Sequence, residues 1–520
     1  MNSDVSYITH LINNNNFDAA LIAAEHVLQN EPSNLQALVY KAIALREKKM
    51  IFEYQLHLER NLDYDSKPFP ITNALIELST KSGQYQVLYN LFHKLDDITK
   101  LNTEAQLCIG HAMQKVSKYE EAKKIFLSLL NNNTAQDQAH YYLGNAHRYL
   151  GNKNEAIKNY LHCINNSTNF LAKAYFGLAN MKDYTFSNEQ IISLIKTLET
   201  NSLLRDDKAC LLFSLGKAYE DNKDYESSYY YYALGNEEKS KYEKFNEKNL
   251  KEKANKTIEK YENTDFDTPD LIPLNKTPIF IVGLPRSGST LVEQILSSHS
   301  KIERIGEVPY INSLIQECHQ RRHIASYPEF LQDLTKDQIN YFRKKYIQLS
   351  SLHFKNEKAT FFTDKTPENL ENIGFIRTIF PESIIIDTRR EIRANTFSLF
   401  KQLFFGARSY SYDINNIVTY YKTYIKLINF WEKKCPTNIF TVNYERLVDD
   451  FDTTLSDLFF KINLKPEKSC FEYYKNKQIV DTASSEQVRK PIYHSAKNAW
   501  ENYRKHFEHI KINTNNKAAN

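Results

Sequence analysis

Glycine, cysteine and tryptophan are scarce in this 520-residue chain, at 12, 6 and 2 copies. Cys108, Cys163, Cys210, Cys318, Cys435 and Cys470 are scattered, and no two of them form a Cys-x-x-Cys pair. That spacing excludes a disulfide framework and a zinc ribbon, so all six read as reduced structural thiols. No cluster of carboxylates or histidines suggests a metal site, and no metal is expected. Also missing is any apolar run approaching the roughly 20 residues that a membrane-spanning helix needs. The N-terminus, MNSDVSYITHLINNNNFDAA, has no basic region leading into a continuous apolar core, which argues against a signal peptide. A soluble, cytoplasmic protein is expected. Charge of one sign is lacking too. The 67 Lys and Arg against 63 Asp and Glu leave a net charge of +4, too little to argue for nucleic acid or a membrane surface. Abundant Asn, Lys, Ile and Tyr read as the mark of an AT-rich genome, without chemistry of their own. The length itself predicts two or more domains.

What the first half does have is a period. Leu143-Gly144, Ala156 and Tyr160 recur 34 residues earlier as Ile109-Gly110, Ala122 and Phe126. Phe92 and Tyr85 lie one period before Phe126 and Tyr119; Ala20 and Phe17 lie three periods before Ala122 and Tyr119. Leu215-Gly216 is a later small pair of the same kind. The pattern resembles the tetratricopeptide repeat, in which two antiparallel helices need a small residue at their crossing and an aromatic knob in the second helix. About six units fit over residues 1–236, degenerate around 38–70 and 172–205. Nearly all of these positions are packing, and any function of the array lies in its concave surface. Residues 237–276 read as a solvated helix and a linker carrying Pro269 and Pro273, which ends at the domain junction.

The most informative stretch follows, Thr277-Pro-Ile-Phe-Ile-Val-Gly-Leu-Pro-Arg-Ser-Gly-Ser-Thr290 and on to Leu296. A β-branched apolar run stops at Gly283, turns through Pro285 and Gly288, and enters an amphipathic helix near Ser289. Strand, amide-rich loop and helix N-terminus together aim backbone N–H groups at a phosphate. Gly283-x-x-x-x-Gly288 followed by Ser289-Thr290 almost matches the nucleotide-triphosphatase loop. The lysine of that loop is replaced by Ser289, however, and a cation stands earlier, at Arg286, so triphosphate hydrolysis loses its main charge clamp. The Arg-Ser-Gly-Ser-Thr loop resembles that of the sulfotransferases, whose donor is 3′-phosphoadenosine-5′-phosphosulfate (PAPS). The resemblance implies that Pro285, Arg286, Ser287, Gly288, Ser289 and Thr290 bind the donor and that Arg286 also assists catalysis.

Four more segments fit that resemblance, in chain order over roughly residues 277–510. Arg304-Ile-Gly-Glu-Val308 resembles the segment in protein-tyrosine sulfotransferases where a Gly-Glu pair supplies the base, here Glu307. A phenol ionises near pH 10, so a carboxylate within hydrogen-bond reach helps it attack. Phe362-Thr-Asp-Lys-Thr-Pro-Glu-Asn369 resembles the segment whose lysine, here Lys365, faces the bridging oxygen on which charge builds. Arg390 and Ser398 stand eight residues apart, as in the family's grip on the 3′-phosphate; Arg389 and Arg393 are weaker candidates. Last, Thr482 to Tyr493 and the following WENYRKHF resemble the end of bacterial repeat-fused sulfotransferases. There Ser484 with Arg489 or Lys490 would close on the nucleotide. The family has a basic residue before the tryptophan, this chain has Ala499 before Trp500, and Lys497 is a substitute. Tyr444 and Glu445, after a third strand, match a motif read as structural.

The expected architecture is therefore an all-α repeat array followed by a three-layer α/β domain with a mainly parallel sheet over 277–510, then a disordered tail at 511–520. The expected reaction moves a sulfuryl group from PAPS to an acceptor hydroxyl, most readily a protein tyrosine, with the array holding a protein or peptide acceptor. A carbohydrate or small-molecule hydroxyl is the alternative acceptor. A non-catalytic scaffold with a nucleotide-binding domain, and a P-loop kinase with a diverged loop, are the competing classes. If Glu307 is not the base, His299 or His319 is the nearest substitute.

Overall fold

The computed structural model describes residues 2–510 except 49, 63–68, 82–83, 201–202, 265, 267–270, 323–326, 330–333, 407, 477, 481 and 483. Part of the proline linker and the tail expected at 511–520 lie outside them. The chain divides into two compact units, one of residues 1–177 with 316–323, the other of residues 178–315 with 324–520.

The first unit is a succession of antiparallel helix pairs, including Thr103–Lys115 with Tyr119–Asn131 and Gln136–Leu150 with Lys153–Asn166. Close crossing is what the small residues allow. A Cβ on Gly110 would stand 2.5 Å from the Phe126 ring, and one on Gly144 2.7 Å from Tyr160. Asparagine, read from the sequence as compositional background, has a local use here. Asn16, Asn34 and Asn102 each accept a backbone N–H three residues on, at 3.3, 3.1 and 2.8 Å, and so cap helix N-termini. Such caps satisfy an otherwise orphaned donor and contribute about 1 kcal/mol each.

The helices Arg205–Asp221 and Tyr225–Ser240 continue the periodic pattern, and Gly216 meets Tyr232 as Gly144 meets Tyr160. They nevertheless belong to the second unit. Ser228 Oγ and the Tyr503 hydroxyl are 2.9 Å apart, Asn236 Nδ2 donates to the Phe400 carbonyl at 2.7 Å, and Tyr229 stacks on His506. Their aromatic-rich faces are thus core of the C-terminal unit, and the division by packing precedes residue 236, where the repeat pattern ends.

That unit is built on five parallel strands, β1 (Thr277–Gly283), β2 (Ile302–Gly306), β3 (Phe361–Asp364), β4 (Ile384–Arg389) and β5 (Ile439–Asn443), in the order β2-β3-β1-β4-β5. Side chains alternate across it with the period of two expected of a strand. Ile279, Ile281 and Ile386 face a cluster with Val292, Ile295, Leu455 and Phe459, whereas Phe280 and Phe362 face Tyr346 and Phe380. Both faces are covered, so the sheet is the middle of three layers. Among the described residues no helix is long and apolar enough to cross a membrane.

Candidate donor and acceptor site

In parallel α/β sheets the crevice beyond the strands' carboxyl ends is where ligands bind. Here those ends carry, in spatial order, Glu307 after β2, Lys365 after β3, the Gly283–Gly288 loop after β1, Arg389 and Arg390 at the end of β4, and Tyr444 after β5. Residues about 100 apart in sequence, such as Gly283 and Thr388, are brought side by side because neighbouring strands lie about 4.8 Å apart.

The loop itself is fixed by its backbone. Gly288, at φ +103°, caps the helix Ser289–Leu296, and a Cβ there would strike the Tyr444 ring at 2.7 Å. Arg286 also adopts a left-handed φ, +69°, which is uncommon for a side chain and is held by contacts from several elements. Asn395 Nδ2 donates to the Pro285 carbonyl at 3.1 Å, Arg390 Nη1 donates to the Arg286 carbonyl at 3.2 Å, and Ser287 Oγ lies 2.7 Å from Thr388 Oγ1. Ser287 and Pro285 therefore build the loop's shape, while Gly288, Ser289 and Thr290 line an adjacent cavity of about 360 Å³.

Two guanidinium groups dominate that cavity. Arg286 donates from Nε to Ser398 Oγ and from Nη2 to Gln487 Oε1, both at 3.2 Å, and from Nη1 to Ser484 Oγ. All three partners are neutral, and among the described residues no carboxylate forms an ion pair with it. Burial, with repulsion from Arg390, lowers its pKa to about 10. Arg390 lies over the Tyr444 ring, 4.8 Å from its centroid, and burial lowers its pKa as well. Tyr444, read from its motif as structural, thus both fills the space left by Gly288 and carries Arg390. Phe397, Tyr473, Tyr493, Ile492 and Val488 add apolar and aromatic wall.

Of the other expected donor residues, Ser398 and Ser484 line the cavity, and Arg489, Lys490 and Lys497 do not. Lys490 pairs with Asp183 at 2.8 Å and Lys497 with Asp449 at 2.5 Å, both towards solvent. Burial lowers the Arg489 pKa. Arg389 is engaged within the fold by Asp387 at 2.6 Å and Glu432 at 3.0 Å, and Arg393 lies over the Trp500 ring. Asn395, Gln487 and Lys401 were not legible as site residues. Their only sequence signal is proximity to Arg390 or to the Ser484 segment.

Glu307 and Lys365 meet each other. Lys365 Nζ donates to Glu307 Oε1, and Arg408 Nη2 approaches Glu307 Oε2 at 3.7 Å. The lysine side chain is 1% exposed and the glutamate 36%, so the carboxylate stands at the rim and the ammonium behind it. Thr366 Oγ1 bonds the Val308 carbonyl at 3.1 Å and Asp364 Oδ1 at 2.7 Å, which pins the two segments together. Asp364 also accepts from the Tyr346 hydroxyl at 2.7 Å, and burial raises its pKa to about 7. His299 is used structurally, with Nε2 3.1 Å from the Lys465 carbonyl, Nδ1 accepting from Lys301 N and its ring stacked on Phe459. His319 is on the helix Tyr310–Arg322, in the segment that groups with the first unit.

Comparison with known proteins bears on this unit. A protein described as uncharacterized, from Aquifex aeolicus (strain VF5), is 28% identical over 345 residues. The match covers 63% of this chain and 44% of that relative, so the chain spans less than half the relative's length. Among solved structures, the sulfotransferase domain of the Synechococcus PCC 7002 olefin synthase aligns at 18% identity, over 49% of this chain and 94% of that one, with a TM-score of 0.33. The sulfotransferase domain from the curacin biosynthetic pathway aligns at 19%, over 47% and 93%, with a TM-score of 0.31. A sulfotransferase from Mycobacterium tuberculosis H37Rv aligns at 15%, over 59% and 98%, with a TM-score of 0.27. Residues 278–466 match the model of the sulfotransferase family, and the five-stranded unit therefore carries a sulfotransferase-family domain.

Proposed function

We propose that the protein transfers a sulfuryl group from PAPS to an acceptor hydroxyl, and that the acceptor is a tyrosine of a protein or peptide. The observation that carries the donor reading is the pair Arg286 and Arg390, two cations sharing a cavity in which Arg286 has only neutral partners. Such a pair is costly without an anion and favourable with one, because charged hydrogen bonds to phosphate are strong and bidentate. The loop amides at Gly288–Thr290, Ser398 and Ser484 supply further donors, and the aromatic wall suits a purine.

In the reaction the acceptor oxygen forms a bond to sulfur as the bond from sulfur to the bridging oxygen breaks. The electron pair leaves on the phosphate of adenosine 3′,5′-bisphosphate. Glu307, at the rim, takes the acceptor's proton, and Lys365, deeper and one strand nearer the loop, hydrogen-bonds the oxygen that gains charge. The Lys365–Glu307 ion pair holds both groups in place before the acceptor arrives. A carboxylate base suits a phenol better than an aliphatic alcohol, which favours tyrosine over a carbohydrate acceptor. The helical repeats of the first unit are candidates to hold an extended peptide.

Incubation with radiolabelled PAPS and panels of tyrosine peptides, simple phenols and oligosaccharides tests the proposal. Label is expected on the tyrosine peptides and phenols. Transfer to oligosaccharides alone would overturn the acceptor assignment, and transfer to nothing tried, with PAPS bound, would favour the non-catalytic scaffold.

A further inference from the structure

Arg408 belongs to the segment between the helix Ile392–Phe400 and the single turn Ser409–Tyr412, and that segment is tied down around it. The Arg408 carbonyl accepts from Ser411 N at 2.9 Å and from Ser411 Oγ at 2.8 Å, and the Phe404 carbonyl accepts from the Tyr412 hydroxyl. The guanidinium lies over the Phe404 ring, 5.0 Å from its centroid. Its Nε donates to Glu368 Oε1, on the turn Pro367–Asn372 that follows Lys365, and its Nη2 stands 3.7 Å from Glu307 Oε2.

Charges of opposite sign thus alternate along the site, in the order Lys365, Glu307, Arg408, Glu368. Lys365 holds Oε1 of Glu307 and Arg408 approaches Oε2, so the carboxylate is flanked on both sides. Among the described residues these are the two cations within ion-pair distance of it. Arg304, on the strand before Glu307, is matched by Glu293 at 2.7 Å, and Tyr410, beside Arg408, is kept neutral by burial, which raises its pKa. The two grips differ in kind. Lys365 makes a hydrogen bond, whereas Arg408 stands just beyond hydrogen-bond length and closes with a shift of about 1 Å.

We propose that Arg408 is a positioning residue that holds Glu307 by Oε2 during the reaction and leaves Oε1, released by Lys365, to take the acceptor's proton. The inference rests on the reading above, in which Glu307 is the base and Lys365 the cation at the bridging oxygen. An ammonium drawn to an oxygen on which charge builds loosens its hold on the carboxylate it was paired with. A base whose anchor slips at that moment swings about its side-chain bonds, and misplacement of about 1 Å is costly in rate. A guanidinium stacked on Phe404 and fastened to Glu368 keeps the carboxylate aimed. The step balances: the acceptor oxygen bonds to sulfur as its proton passes to Oε1, which leaves Glu307 a neutral acid. The bridging oxygen departs with its electron pair beside Lys365.

Profiles of kcat against pH for the full chain, with saturating PAPS and a simple phenol as acceptor, test this. Loss of the cation favours the protonated carboxyl, so Arg408→Met should raise the acidic limb by about 0.7 pH unit, the worth of a unit charge about 4 Å away in a water-like medium. It should also lower the plateau about 10- to 100-fold, with KM for PAPS within about twofold of wild type. Arg408→Lys should keep the limb near its wild-type position and recover part of the plateau, since it restores the charge without the fork. Glu368→Gln should move the limb the other way, downward, because it releases Arg408 to Glu307. In a Glu307→Gln background Arg408→Met should cost nothing further. An undiminished cost in that background, or limbs that move together in Arg408→Met and Glu368→Gln, would overturn the inference and leave the reading of the base standing. Failure of the wild-type chain to transfer sulfuryl, or of Glu307→Gln to lower turnover, would overturn that reading itself. If Arg408→Met does not fold, a limb raised or left in place by Glu368→Gln still overturns the inference.

Discussion

Arg286→Ala removes a guanidinium that the fold keeps charged at a cost. The group's pKa drops from the ordinary guanidinium range to about 10 through burial and repulsion from Arg390. At about 1.4 kcal/mol per unit, its charged form is disfavoured by on the order of 3 kcal/mol as an upper limit. The sign is that of a base whose folded pKa lies below its unfolded one, so the penalty is present in full at neutral pH and relieved only as pH rises past 10. Against it stand the hydrogen bonds to Ser398, Ser484 and Gln487, worth about 1 kcal/mol each. Alanine keeps the same left-handed backbone cost at φ +69°. The two sides nearly cancel, and unfolding stability should change by no more than about 1 kcal/mol. Donor affinity should instead fall by about 1.5–3 kcal/mol, roughly 10- to 150-fold, the range for a hydrogen bond to a charged group. Urea denaturation and calorimetric titration with adenosine 3′,5′-bisphosphate measure the two quantities. A stability loss above about 3 kcal/mol with unchanged donor affinity would refute the reasoning, because that is the signature of a structural ion-pair partner.

Glu307→Ala and Lys365→Ala should each lower turnover with little change in donor affinity, the former by about 10²- to 10⁴-fold; near-native turnover of Glu307→Ala on every acceptor would make that carboxylate a surface residue. Arg390→Ala should lose discrimination between adenosine 3′,5′-bisphosphate and AMP in competition binding, whereas Arg286→Ala should keep it. Asp364, raised from 3.8 to about 7, favours folding most when protonated, so its contribution should be lost as pH rises from 4 to 7. Asp364→Asn should flatten that part of a stability-versus-pH curve measured by urea titration. A chain beginning near Leu178 should fold and bind the donor, and one beginning near Asn275 should be insoluble or bind poorly, because it exposes the surfaces contacted by Ser228, Asn236 and Tyr229; solubility and donor titration decide.

The parts of the site that were legible in the sequence are those written locally. The β-branched run Ile279–Val282, the glycines at 283 and 288 and the eight-residue step from Arg390 to Ser398 each encode a strand, a turn or a helix face, and the structure brings them to one sheet edge. Contacts across the chain were not legible. Nothing near Arg286 announces that its guanidinium reaches Ser484 and Gln487, some 200 positions on. The basic residues Arg489, Lys490 and Lys497 fit a motif by order, but the motif does not encode side-chain direction, and Lys490 and Lys497 turn to nearby carboxylates. The packing of the helices Arg205–Asp221 and Tyr225–Ser240 into the second unit was hidden for a related reason. Their small-aromatic period continues that of the helices before them, and the residues that dock them, Ser228 and Asn236, stand one turn either side of the aromatic Tyr232, on the face that repeat packing already accounts for. Asparagine caps were hidden by abundance, since a cap is set by position and many asparagines are not caps.

Parallel titration of the purified protein with PAPS and with ATP, each with and without Mg²⁺, tests the central claim most directly. Saturable, Mg²⁺-independent binding of PAPS, much tighter than that of ATP, is the predicted result. Binding of neither nucleotide, or binding of ATP that requires Mg²⁺, would contradict it.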